Sequence, residues 1–274
     1  MSYMREEITP TSDSYPYVTG MGFRNRSHLI YDEFQKDDAK NITKDGQVVF
    51  IKIDFVRSFF LHVMPDIKHK VNIVTHNGAL GIDLCYLQYL DNRKVINWYA
   101  QNADIKHHKL ISIPLGLANK RWAHGDVDLL EGVIQEPAEK KHLVYLNFDV
   151  GTNSGKRTVV HNVFSDKEYV YKAPRKSFEE YLRDLKASKF SLSPQGRGAD
   201  CHRIWESIAV GTIPIVKDCQ NISFYSDMPI LVIKDWEDVS EEFLQDEYEK
   251  IATGERNSSK LFMDYWIEKI GLTT

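Results

Sequence analysis

The clearest indication of the fold is the stretch FSLSPQGRGADCHRIWESIAVGTIPIV at residues 190–216. Its pattern predicts a strand over Phe190–Leu192, a glycine-containing turn, a helix, and a second strand over Ile213–Val216. Strand, helix and strand in this order form the repeating unit of a parallel α/β sheet. The glycines let the backbone of the turn approach a ligand closely, and the helix start behind the turn directs unpaired N–H groups towards an anion. The stretch therefore predicts a site for the phosphates of a nucleotide.

The predicted helix carries two charged residues on one face. Arg203 and Glu206 are three positions apart, which places them side by side on the helix surface. An arginine can neutralise a pyrophosphate, and a carboxylate can accept hydrogen bonds from ribose hydroxyls. The alternative is an exposed ion pair, which contributes only about 0.2–0.5 kcal/mol. The Gly-x-Gly turn before the helix and the tight connection at 211–214 after it favour the nucleotide site.

The alternation of short apolar runs with helical patterns extends over the rest of the chain. This alternation predicts an α/β fold, with polar residues at the carboxyl ends of the strands, where open α/β sheets bind ligands. The polar stretch at 136–141 predicts a linker between two halves. Predicted strands are Val48–Ile53, Val71–Thr75, Lys94–Asn97, Leu110–Ile113, Leu143–Phe148, Glu168–Tyr171, Phe190–Leu192, Ile213–Val216 and Ile230–Ile233, and predicted helices include Phe55–Val63, Ile82–Leu90 and Ser259–Ile270.

Composition excludes several classes of function. The 274 residues carry 35 Lys and Arg against 39 Asp and Glu, so the net charge of −4 provides no overall positive field for nucleic acid. Three cysteines without a paired short spacing predict neither a zinc site nor a disulfide framework, and they favour a reducing compartment. No run of about twenty apolar residues is present, and residues 1–20 lack the apolar core of a signal peptide. We therefore expect a cytoplasmic protein with no membrane or nucleic-acid partner.

The stretch at 190–216 resembles the nucleotide-sugar-binding signature of exostosin-like glycosyltransferases. The shared features are the Ser-Pro-x-Gly turn at 193–196, the Arg-x-x-Glu helix at 203–206 and the Gly-x-Ile-Pro segment at 211–214. In the first half, VTHNGALGID at 74–83 and the segment at 97–126 are similar to short, soluble members of this family found in large DNA viruses of algae and in microbes. Animal members have a membrane anchor and a disulfide setting that this sequence lacks.

The resemblance implies a GT-B architecture, in which two Rossmann-like domains face each other across a central cleft. It implies a first, acceptor-side domain over residues 1–138, with the helix at 258–274 packed back on it, and a nucleotide-sugar-binding domain over 139–257. The implied activity is inverting, metal-independent transfer of a sugar from a nucleoside diphosphate, UDP above all, to a hydroxyl of a glycan acceptor. UDP-xylose is among the donors used in the family. No cofactor or metal is expected.

The resemblance also implies roles for individual residues. Arg203 is similar to the arginine that neutralises the donor phosphates, Glu206 to the glutamate that binds the ribose, and Arg157 to a second arginine that reaches the diphosphate. The Gly-containing turn completes the predicted donor site through Ser193, Gly196, Arg197 and Gly198.

An inverting transfer also needs a base that accepts the proton of the acceptor hydroxyl. The candidates are Asp83, Asp54 and His76, which follow predicted strands of the first half. Two of them have a structural alternative, because Asp83 can cap the helix that follows it and His76 can be a hydrogen-bonded loop histidine.

Two other functions are compatible with parts of the sequence. The loop GTNSGKRT at 151–158 resembles the phosphate-binding loop of a nucleotide kinase or NTPase, but it has three residues between its glycines instead of four, and Arg157 follows Lys156 where a Ser or Thr is needed. A non-catalytic sugar-binding module would use aromatic residues such as Trp98, Tyr99 and Trp122.

Overall fold

The computed structural model describes residue 9 and residues 11–254 and 257–273, and this part of the chain forms two parallel sheets of five strands each. The first sheet follows the order of the chain from edge to edge, without a reversal. Its strands are β1 Leu29–Tyr31, β2 Val48–Lys52, β3 Val71–His76, β4 Val95–Gln101 and β5 Leu110–Ile113.

The first sheet is buried on both faces, because side chains along its strands alternate between two hydrophobic layers. Along β2, Val49 and Ile51 pack with the layer of Phe59, whereas Val48 and Phe50 pack on the opposite layer. The first layer is covered by α2 Val56–His62 and α3 Leu87–Leu90, and the second by α1 Gly20–Asn25 and α9 Met263–Ile270. The last helix of the chain thus returns to the first sheet.

The second sheet reverses its strand order. Its order is β7-β6-β8-β9-β10, so the chain moves outward from β6 in one direction to β7 and in the other to β8. Such a reversal opens a crevice at the carboxyl ends of the two central strands, where ligands of α/β proteins bind. The strands are β6 His142–Leu146, β7 Val170–Lys172, β8 Ser188–Leu192, β9 Ile213–Lys217 and β10 Leu231–Ile233.

Helices cover both faces of the second sheet as well. Phe164 and Leu244 pack on the face formed by Val144 and Phe190, and Leu182 and Trp205 belong to the opposite layer. The helices are α4 Val127–Gln135, α5 Ser154–Phe164, α6 Phe178–Lys186, α7 His202–Ala209 and α8 Glu241–Thr253. Within the described residues, none of the helices has the length and apolar character needed to cross a membrane.

The predicted α/β fold with a GT-B arrangement is confirmed, since two parallel α/β units lie on either side of one cleft. The boundary at residue 138 stays a prediction. The helix α4 lies before that boundary in the sequence, yet it packs against α6 of the second unit through Leu130 and Val133.

Three local expectations differ from the structure. The short strand β1 is not predicted by the pattern. Strand β4 continues to Gln101 because residues 98–100 pair with β3 and residues 98–101 pair with β5. The helix predicted over Ile82–Leu90 is wrong at its start. Ile82 exchanges backbone hydrogen bonds with the chain at 102–104, so only a short 3-10 turn at Leu84–Tyr86 precedes α3.

Candidate active site

A cavity of about 720 Å³ lies between the two units. Its walls come from loops at the carboxyl ends of strands in both sheets, the position at which α/β proteins bind ligands. The first unit and the segment after β5 contribute His76, Asn77, Gln101, Asn119, Trp122 and His124, and the second unit contributes Arg157, Tyr181, Gly196, Arg197, His202, Arg203 and Glu206.

The two loops at the reversal of the second sheet are joined by hydrogen bonds. Asn153 accepts a hydrogen bond from the N–H of Lys156 at the start of α5 and donates from Nδ2 to the carbonyl of Gly196, 2.7 Å away. Arg157 reaches from α5 into the same region, where it donates to the carbonyls of Gln195 and Asp149 at 3.1 and 2.8 Å. The turn after β8 is therefore held directly against the start of α5.

The guanidinium groups of two arginines lie close to the same aromatic ring at this point. The guanidinium carbons of Arg157 and Arg203 lie 5.7 and 5.9 Å from the centre of the Phe148 ring. Burial and then the positive charge of Arg203 lower the pKa of Arg157. In the described part of the chain neither arginine forms an ion pair with a carboxylate, although the charge of Glu206 acts on Arg203 and that of Asp149 on Arg157.

Arg203 in addition has an unsatisfied donor. Its Nε is buried and makes no hydrogen bond within the described structure. A buried polar group left without a partner costs about 1–3 kcal/mol. A bound anion would supply the missing acceptor and the missing negative charge at once.

The glycine turn closes this side of the cavity. A Cβ on Gly198 would lie 2.2 Å from Nδ2 of Asn102, so the close approach to the first unit requires a glycine there. Gly196 and the exposed Arg197 also line the cavity. Ser193, in contrast, does not line the cavity, so the geometry does not support its assignment to the donor site. It is buried and its N–H donates to the carbonyl of Ile215, because the backbone at 193 still follows the sheet.

Glu206 lies about one turn beyond Arg203 on α7 and is buried at the edge of the cavity. Its Oε2 accepts a hydrogen bond of 2.7 Å from the hydroxyl of Tyr181. Burial raises the pKa of Glu206. The alternative of an exposed ion pair with Arg203 is wrong, since both residues line the cavity and the carboxylate is bonded to a tyrosine. Tyr181 itself carries no signal in the sequence beyond its place in an amphipathic helix.

Two of the proposed bases lie outside the cavity. Asp54 is exposed and its carboxylate is 3.9 Å from Nζ of Lys52. Asp83 is also exposed, and its carboxylate caps a short helical turn by accepting the N–H of Cys85 at 2.9 Å. The capping alternative for Asp83 is thus the one that the structure supports, and the geometry favours neither aspartate as the base.

His76 does line the cavity, but both of its ring nitrogens are occupied. Nε2 donates to the carbonyl of Pro114 at 3.1 Å, and Nδ1 accepts the N–H of Asn77 at 2.7 Å. Burial lowers the pKa of His76 from 6.5 to about 4. Because the one lone pair of the neutral ring already accepts a hydrogen bond, the geometry favours the structural alternative for His76 over the role of a base.

Sequence reasoning missed a buried polar contact between the two units. Asp200 accepts hydrogen bonds from the N–H groups of Leu115 and Cys201 and from the indole of Trp205, all between 2.7 and 3.0 Å. Its own N–H donates to Oδ1 of Asn102. Burial raises the pKa of Asp200 to about 7. The carboxylate therefore fixes the turn after β8 against the first unit.

The kinase alternative loses support from the conformation of its loop. Residues 150–153 form a 3-10 turn in which the N–H of Gly151 donates to Asp149, and neither Gly151 nor Gly155 lines the cavity. The side chain of Lys156 lies against Oε1 of Gln195. The backbone N–H groups thus do not form the cradle that a phosphate-binding loop provides.

The fold and the cavity together define the class of the protein: two parallel α/β units of the GT-B type with an electropositive site at the strand reversal of the second unit. Residues 152–270 match the family model for the RXYLT1 C-terminal domain, a xylosyltransferase-related, exostosin-like domain. The matched part of the chain contains Arg157, the glycine turn, Arg203 and Glu206. In this part the chain is similar to glycosyltransferases.

Two further comparisons were made. A search of curated proteins by sequence gave no match. Among solved structures, the chain is similar to one described as the crystal structure of GtfA/B complex, at 11% sequence identity and a TM-score of 0.37. The similarity covers 83% of this chain and 54% of the other, so the chain spans about half the length of that protein.

Proposed function

We propose that the protein is an inverting glycosyltransferase that moves a sugar from a nucleoside diphosphate, UDP in the first place, to a hydroxyl of a glycan. One observation carries the proposal: the guanidinium groups of Arg157 and Arg203 lie 5.7 and 5.9 Å from the Phe148 ring centre, neither forms an ion pair in the described structure, and they stand at the strand reversal of the second sheet. The match of residues 152–270 to a xylosyltransferase-related domain supports sugar transfer over other uses of such a site.

In this proposal the second unit binds the donor. Arg157 and Arg203 neutralise the diphosphate as it departs, and Glu206 and Tyr181 bind the ribose. Two guanidinium groups in a partly buried site stabilise the developing negative charge directly, so we propose that transfer requires no metal ion. A pentose donor such as UDP-xylose is the first sugar to test, given the family match.

The first unit offers groups for a sugar acceptor. The indole of Trp122 lies at the cavity wall, where a sugar ring can stack on it. Gln101 donates from Nε2 to the carbonyl of Gly78, whereas its buried Oε1 has no hydrogen-bond partner within the described structure. Such an acceptor suits a sugar hydroxyl.

Calorimetric titration tests the donor site. The purified protein is titrated with UDP, UDP-xylose, other UDP-sugars, GDP and ATP, each with and without EDTA, and an Arg203→Met variant is titrated in parallel. We expect UDP to bind to the parent protein in EDTA with a Kd of about 10 μM. Binding to Arg203→Met should be weaker by about tenfold or more. ATP binding that requires Mg²⁺ would favour the kinase alternative, and a protein that binds glycans but no nucleotide would be a sugar-binding module.

Turnover is measured as release of UDP, with water and with a panel of nitrophenyl glycosides as acceptors. Inversion is read from the anomeric proton coupling of the product.

A cytoplasmic location also remains our proposal, supported by the free thiols of Cys85, Cys201 and Cys219, and cell fractionation tests it.

A further inference from the structure

The cavity contains a histidine whose tautomer is fixed by its hydrogen bond. His202, the first residue of α7, is half-buried and lines the cavity. Its Nδ1 lies 2.8 Å from the carbonyl oxygen of Gly116. Because a carbonyl can only accept, Nδ1 carries the hydrogen, and the neutral ring keeps its lone pair on Nε2. Nε2 has no hydrogen-bond partner in the described part of the chain and is not among its buried unpaired atoms.

The carbonyl that orients His202 belongs to a rigid part of the molecule. Gly116 has a φ of +68°, and a Cβ at this position would lie 2.1 Å from the carbonyl oxygen of Val18. The next residue, Leu117, donates its N–H to that same oxygen at 2.9 Å. The segment after β5 is thus held against the first unit, and it orients a side chain that the second unit supplies.

Three other groups of the cavity that could accept a proton already take part in hydrogen bonds. Both carboxylate oxygens of Asp200 accept hydrogen bonds, both ring nitrogens of His76 are bonded, and the carboxylate of Glu206 is bonded to Tyr181. The ring of His124 lies 5.8 Å from the ring of His202, centre to centre, and is the nearest competing base.

We propose that His202 is the general base of the transfer, an inference that rests on the function proposed above. The acceptor hydroxyl gives its proton to Nε2 of His202 while its oxygen forms a bond to the anomeric carbon of the donor. The bond from that carbon to the diphosphate oxygen breaks, and its electron pair goes to the oxygen, whose negative charge Arg157 and Arg203 balance. The imidazolium then releases its proton to water, which restores the neutral ring.

The surroundings of His202 agree with this role. Burial lowers its pKa, whereas the hydrogen bond to Gly116 raises it, and the ring is neutral at pH 7. The titratable groups that face it are His76 and His124, both with lowered pKa values, and Glu206 lies one helical turn away on the same face of α7. The ring can therefore accept a proton without first losing one.

The test compares three histidine-to-asparagine variants of the full chain, and a fourth variant, His202→Ala, is used for rescue by imidazole. In His202→Asn, the amide nitrogen takes the place of Nδ1 and keeps the donation to Gly116, but no proton acceptor remains at the Nε2 position. His124→Asn removes the competing base, and His62→Asn, at the exposed end of α2, is the matched surface control. Each variant is assayed for UDP affinity by calorimetry and for UDP release from the donor that binds best, with water and with nitrophenyl glycosides.

We expect His202→Asn to bind UDP within about twofold of the parent protein and to release it about 100-fold or more slowly. Its pH–rate profile should lose the fall on the acid side, and imidazole added to His202→Ala should restore part of the rate. Rates of His202→Asn close to those of the parent, or a loss confined to His124→Asn, would overturn the proposal.

A second measurement does not depend on turnover. Nitrogen-15 NMR of the His202 ring should show a protonated Nδ1 and a bare Nε2 at pH 7, and addition of UDP-sugar should shift the Nε2 signal. A protonated Nε2 would overturn the assignment of the base. Failure of the parent protein to bind any nucleotide is a different result, which would refute the proposed function itself.

Discussion

Acid should destabilise the protein through His76, and this prediction follows from the two hydrogen bonds of its ring. In the folded state the ring is neutral, because burial lowers its pKa from 6.5 to about 4. In the unfolded chain the same side chain is protonated below its ordinary pKa. The unfolded state therefore binds more protons between these two values, and the stabilising contribution of the neutral ring is present above pH 6.5 and is lost as the pH falls towards 4.

The size of the effect follows from the two pKa values. Linkage between protonation and folding gives a loss of about 2 kcal/mol in the free energy of unfolding between pH 7 and pH 5. The sign is opposite for Asp200, whose pKa is raised to about 7 by burial, so the total pH dependence of the protein is a sum of opposing parts. A comparison of variants isolates the contribution of His76 to the pH dependence of the free energy of unfolding.

This contribution is measured by urea denaturation of the parent protein and of His76→Gln, each at pH 7 and at pH 5. Glutamine does not titrate in this range, and its amide nitrogen can replace Nε2 as the donor to Pro114. We expect the drop in stability on acidification to be smaller by about 2 kcal/mol in the variant. The exposed His62→Gln variant serves as control. An equal drop in the parent and in His76→Gln would refute the conclusion that His76 is held neutral.

Four further perturbations test the site and the fold. Glu206→Ala should weaken UDP binding by about 1–3 kcal/mol, or one to two decades in Kd, and an unchanged Kd in a folded variant would contradict its role at the ribose. Gly198→Ala should destabilise the protein by about 1–3 kcal/mol in urea, because the new Cβ overlaps Asn102, whereas a neutral effect would mean that the turn is freely adjustable. Trp266→Ala should cost about 3–5 kcal/mol, and removal of residues 258–274 should lower the melting temperature of the whole protein, since α9 covers one face of the first sheet. A truncated protein that melts at the parent temperature would show that this face is not buried by α9.

The sequence predicts the fold well where one residue pattern dominates. The β-branched run at 48–52 is buried on both sides and forms a central strand, and Ser177 with Glu180 forms the capping box at the start of α6. Both features are determined by residues close together in the sequence, so they can be read from it directly. The strand order is a different matter, because the reversal at β6 depends on contacts between residues far apart in sequence.

In the candidate site, too, some residues could be found from local sequence patterns, whereas others depend on contacts between residues far apart in the chain. Arg203 and Glu206 were found from the short motif at 190–216 and Arg157 from the family resemblance, and all three line the cavity. His202 was missed because the orientation of its ring depends on the carbonyl of Gly116, which is 86 positions away in the sequence. A polar residue after a strand, such as Asp83, looks the same in sequence whether it faces a cavity or caps a turn.

The strand order of the first sheet has a consequence for how such proteins diverge. Strands that follow one another without a reversal create no crevice by themselves, so the cavity wall opposite Arg157 and Arg203 is built by the ends of β3 and β4 and by the segments after β3 and β5. Surface segments of this kind tolerate insertions and substitutions far better than strands do. Under the proposed function, related proteins can therefore change their acceptor by remodelling these segments, while the unit that carries the two arginines stays the same.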